Sequence, residues 1–88
     1  MRESIGLKDR DGREICEGDI VEFRVEYDWH EQPTYDSETS TRMVDTVKIL
    51  DGVAYFWSED ICCGSFAWRH AAHCQVIGNI HDAMGVWP

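Results

Sequence analysis

Soft metal ligands crowd one short stretch of the chain. Cys62 and Cys63 are adjacent, and His70, His73 and Cys74 complete a set of five inside thirteen residues. Zinc takes four such donors converging on one point, usually from two closely spaced pairs. His70 and His73 could face one way on a helical turn. The adjacent cysteines, however, lack the two-residue spacer of a thiolate knuckle. The opposing reading is small buried thiols beside surface histidines, because free cysteine is among the most buried residue types. That reading carries more weight, and no cofactor is expected.

Two other chemistries can be tested on spacing. "DRDG" at Asp9 to Gly12 has the alternating acids that open a calcium loop. Such a loop needs a bidentate acid at its twelfth position. Counting from Asp9, that position is Ile20, which has no ligand atom. Cys74 beside His73 superficially offers a nucleophile and a base, but neighbours on a strand point to opposite faces. There is no phosphate-cradling glycine loop and no nucleophile-elbow pattern. No catalytic residue is assigned, and the chain is expected not to be an enzyme.

Whatever these side chains do, a small framework must position them. Eighty-eight residues make one domain, 1–88. A chain of this size hides only about 60–65% of its unfolded surface, so stability rests on few contacts or on a partner subunit. Apolar residues at 43%, with four Trp, three Tyr and three Phe, suffice for one core and argue against disorder. No apolar run approaches the ~20 residues of a membrane span, and the N-terminus lacks a signal-peptide core, so a cytoplasmic location is expected. Four cysteines without a secretion signal are expected to be free thiols.

Eight basic residues against seventeen acidic ones give a net charge of −9. Binding nucleic acid depends on Lys and Arg neutralising phosphates, and two lysines with six arginines supply little of that. Residues 9–31 hold nine acids and three bases, a local −6. This predicts either a solubilising surface or a negative face for a basic partner.

The elements are β. Asp11-Gly12 and Glu17-Gly18 are turn signals. "DIVEFRVEY" alternates, with Val21, Phe23, Val25 and Tyr27 on one face and Glu22, Arg24 and Glu26 on the other, the pattern of a half-buried antiparallel strand. Residues 28–44 read as a long polar loop in which Trp29 and Tyr35 stand out; they either fold back over an edge of the core, the reading slightly favoured, or form an exposed binding patch. Asp51-Gly52 between two apolar runs predicts a type I′ hairpin. The "VAYFW" after it is apolar on both faces, so that strand is central or covered by another chain. "SEDICCGSFAW" reads as a turn and a short strand through Phe66 and Trp68. "RHAAH" allows one helical turn, and "CQVIGNI" closes the domain with a strand in which Gly78-Asn79 permits a bulge. The sum is a mainly β fold: a small SH3-like or related partly open barrel with at most one short helix.

Two blocks carry a resemblance. Gly6, Leu7, Lys8, Asp9, Gly12, Ile15, Gly18, Asp19, Ile20 and Val21 match the opening motif of the YopX family of phage and prophage proteins. Val76 to Ile80, "VIGNI", matches its closing motif, and "GSFAW" resembles the strand before it. The chain enters the first block almost at once, where the family commonly begins with a further strand. The family often has Tyr where Cys16 stands, and its usual ending is replaced by "DAMGVWP". The resemblance implies an SH3-like or related barrel, a bacterial host cytoplasm, and no established activity. A missing opening strand implies an uncovered sheet edge and a homo-oligomer.

The function expected is that of a non-enzymatic accessory protein that binds protein partners, itself included. Trp29, Tyr35, Asp9, Asp11, Glu22 and Glu26 are the candidate contact residues. The alternative is a role related to nucleic acid, as an acidic DNA mimic or, less favoured by charge, by direct binding.

Overall fold

In the computed structural model, residues 3–27, 33–58, 63–82 and 86 are described. β1 (Ser4–Lys8) and β2 (Glu14–Cys16) pair as a hairpin. β3 (Asp19–Tyr27), β4 (Pro33–Tyr35), β5 (Thr41–Leu50), β6 (Val53–Ser58), β7 (Cys63–Phe66) and β8 (Gln75–Asn79) form the main antiparallel sheet. A single helical turn α1 (Ala67–His70) runs into a 3-10 turn, Ala71–His73. β3 is the organising strand. One of its edges takes β5, while the other takes β8 along its first half and β4 along its last residues. The fold is mainly β with a curled, half-barrel sheet.

Alternation in β3 sets the core. Val21, Phe23 and Val25 are buried together with Val47 of β5, Phe56 of β6 and Val76 of β8. Ile15 of β2, with Ala67, Ala71 and Cys74, covers this inner face, so the β1–β2 hairpin and the helical turn act as its lid. Asp51 and Gly52 both have positive φ, 51° and 78°, and Leu50 pairs with Val53 across them. This is the type I′ connection that matches strand twist. In β8 the register shifts between the pairs Ile20–Gly78 and Val21–Val76, leaving Ile77 as the bulge residue.

Two sequence expectations are corrected. The loop read over 28–44 is shorter, because Pro33–Tyr35 and residues 41–44 are strand. Pro33 starts its strand, where a missing N–H is tolerated, and the polar residues 41–42 lie over the wet end of β3. Trp68 is helical rather than part of the strand, which ends at Phe66.

Candidate functional site

The acidic residues of 9–31 do not share a face. Asp9 is only 5% exposed, so it is not a contact residue. Its Oδ1 accepts the N–H groups of Asp11 (3.0 Å) and Arg13 (2.8 Å), and its Oδ2 accepts that of Val76 (3.0 Å). One carboxylate thus shapes the β1–β2 turn and ties it to β8. Asp19 is also buried: Oδ2 accepts the Cys16 N–H and Oδ1 the Asn79 side-chain amide, both at 2.8 Å. Asn79 in turn donates to the Glu17 carbonyl and accepts the His81 N–H. Gly18, at φ 81°, completes the joint by donating to the Val47 carbonyl and accepting from the Ile80 N–H.

Asp11 stays exposed at the turn. Glu22 and Glu26 point out from β3. Arg42 bonds Glu22 at 3.0 and 3.2 Å and holds its carboxyl below the usual range. The hydroxyls of Thr39 and Ser37 do the same to Glu26. Each exposed carboxylate on β3 therefore has a local partner.

Trp29 lies outside the described residues. Tyr35 is half-buried, and its role is internal. Its hydroxyl donates to the Arg69 carbonyl at 3.0 Å and sits 2.6 Å from His70 Nδ1. Its ring stacks on His73 with centroids 3.6 Å apart. His70 is buried against Phe23, ring centroids 4.8 Å apart. Burial first, then the charge of Arg69, pushes its pKa down to about 4, so it is neutral at pH 7. Strand β4 is thereby pinned to the helical turn.

The proposed metal donors diverge. Cys62 and the Cys63 side chain are outside the described set. His70 Nδ1 is engaged by the Tyr35 hydroxyl, whereas His73 stacks on a face of the Tyr35 ring. The buried Cys74 thiol donates to the Ala71 carbonyl. Burial and the nearby charge of Asp9 push this thiol up to about 12, which leaves it protonated and inert. Among the described residues, no three His, Cys, Asp or Glu side chains gather around a common point.

The two sequence blocks therefore meet in space: Asp9 to Val76 and Asp19 to Asn79 join the first to the last. A family model described as "YopX protein" matches residues 1–84. The chain belongs to this family. No curated protein and no solved structure matches it. Most residues that carry the family signature are thus architectural.

Most of the exposed large apolar side chains lie on the other side of the sheet. Register puts Arg42, Val44, Thr46, Lys48 and Leu50 of β5 on the outer face. Val53, Tyr55 and Trp57 of β6 and Gly64 and Phe66 of β7 lie on the same side. Tyr55 stacks on Phe66 (5.5 Å between centroids) and Phe66 on Trp68 (6.1 Å), making a three-ring ladder. Lys48 Nζ sits 5.3 Å from the Trp57 ring centroid, within cation–π reach. A Cβ on Gly64 would come within 3.0 Å of the Trp57 ring, so the glycine gives that indole its seat. Trp68 is 67% exposed, Leu50 50%, Phe66 44%, Val44 42% and Val53 39%. The signal for this face was the absence of alternation in "VAYFW". The contact residues chosen from the sequence lay in the polar segments instead.

Proposed function

We propose that the chain is a non-enzymatic accessory protein of a phage or prophage that acts in the bacterial cytoplasm by binding protein through the outer face of β5–β7. The observation that carries this reading is the set of exposed Leu50, Val53, Phe66 and Trp68, joined by the Tyr55 ring, on one side of a small sheet, with Val44 further along β5. Apolar patches of this kind mark interaction sites, and aromatic anchors supply most interface energy. The groups that could move protons also speak against catalysis. Asp9 and Asp19 are saturated by hydrogen bonds, His70 is enclosed, and Cys74 is held as a thiol. The viral origin and the host cytoplasm rest on the family resemblance.

Affinity capture from host cells, comparing the natural chain with a Phe66→Ser/Trp68→Asp double variant, tests the reading. The account expects protein partners of the natural chain to be lost from the variant while its fold persists. Identical capture by both would end it.

Direct contact with single-stranded nucleic acid is the second reading. Stacked rings beside Lys48 favour it, since bases stack on exposed aromatics next to cations. The net charge of −9 opposes it. Mimicry of DNA needs a continuous acid row, and Asp9 and Asp19 are withdrawn inside.

A further inference from the structure

The outer face of β5–β7 has a charge character unlike the rest of the molecule. The chain has seventeen acidic residues, yet none stands at the outward positions of these three strands. Their only charged side chains are Arg42 and Lys48. The inner face of the same strands is covered by the β1–β2 hairpin and the helical turn. A sheet that is apolar on both faces is ordinarily covered on both. Among the described residues, no element of this chain lies over the outer one.

Resting on the protein-binding reading above, we infer that the occupant is a second copy of this chain, docked face to face across a two-fold axis. Three considerations select it. The partner must be apolar over the footprint of β5–β7, and the same face on another copy meets that need. Two chains of −9 repel one another, but the outward positions of β5–β7 carry no acid: Asp11, Glu14 and Glu17 of the hairpin lie behind the sheet, and Glu22 on the neighbouring β3 is paired with Arg42. The size also suffices. Seven large apolar or aromatic side chains expose on the order of 500 Å², and doubling across a two-fold reaches the ~1,000 Å² that a specific interface needs.

Sedimentation velocity on the full chain tests the inference. The natural protein should populate a reversible dimer as its concentration rises into the high-micromolar range. The dimer should tighten as NaCl rises from roughly 50 to 500 mM, because salt screens the repulsion and leaves apolar contact intact. Trp68→Asp and Leu50→Asp stand at separate points of the face, and each should weaken it by at least about tenfold. Ile80→Asp, beside Gly18 and off this face, should leave the dimer unchanged. Circular dichroism confirms that each variant is folded.

A strict monomer at every salt concentration overturns self-docking. It leaves the protein-binding reading standing, since that reading fails only when capture is indifferent to the Phe66→Ser/Trp68→Asp change. A dimer that both Asp variants leave intact places the contact elsewhere and also overturns the inference. So does retention of a single-stranded oligonucleotide that Trp68→Asp abolishes, which would assign the face to nucleic acid.

Discussion

Two regions of this molecule invert the usual rule of polar outside and apolar inside. At the joint between the β1–β2 hairpin and β8, carboxylates and an amide are buried: Asp9, Asp19 and Asn79. On the far side of the sheet, aromatic and aliphatic side chains of β5–β7 and α1 stand in solvent. The difference lies in satisfaction. Every carboxylate oxygen of Asp9 and Asp19 accepts at least one hydrogen bond, so these groups stabilise the fold despite burial. Among the described residues, the outer rings pack on one another, on Gly64 and on Lys48. Buried polarity with full partners is architecture, whereas exposed apolarity is what the proposed function rests on.

The comparison can be broken by changing either region. Asp9→Ala should have the largest effect. It strips three N–H groups of their acceptor, one of them buried, and should cost at least about 3 kcal/mol in a urea melt. For a domain of this size that is a large share of total stability. Acid should act comparably through His70. The unfolded chain binds a proton there near pH 6.5, and the fold resists until about 4. Stability is therefore complete above pH 6.5 and falls as pH drops towards 4, by about 3 kcal/mol. His70→Phe should flatten that slope in a pH series of melts.

Gly18→Ala comes next. It places a side chain at φ 81°, with its Cβ 2.8 Å from the His81 ring. Roughly 1–2 kcal/mol should be lost, mostly from backbone strain because the exposed His81 ring can move aside. Breaking the solvent-exposed pair with Arg42→Met should cost less than Gly18→Ala, and less again in high salt. Smallest of all, Trp68→Ser should shift monomer stability by no more than about 0.5 kcal/mol. A loss of several kcal/mol there would make the outer face part of the fold and dissolve the comparison.

Much of the framework was legible in the sequence, for local reasons. Asp51-Gly52 specifies its turn through the φ values it must adopt, and the alternation of Val21, Phe23 and Val25 dictates which side of β3 is buried. What failed was long-range. The fate of Asp9 depends on the N–H of Val76, 67 residues away, and Tyr35 is claimed by His70, 35 residues away. No local pattern reports such partners: Asp9 reads as surface, and for Tyr35 the pattern allows both packing over a core edge and an exposed patch without naming His70. Strand β4 and the start of β5 were missed because they lie over the wet end of β3, where composition is polar in a strand as in a loop. The docking face left a trace in the unbroken apolar run "VAYFW". Period two shows that both faces of that strand are apolar, but not which of them the rest of the chain covers.

The central claim is that the outer face of β5–β7 is the surface that meets a partner, here another copy. Hydroxyl-radical footprinting across a concentration series reads this residue by residue. The account predicts that Tyr55, Trp57, Phe66 and Trp68 become protected as concentration rises, while Tyr35, Ile80 and Val86 react at a constant rate. Unchanged reactivity of those four aromatics, with protection appearing instead on the hairpin or at Ile80, would contradict it.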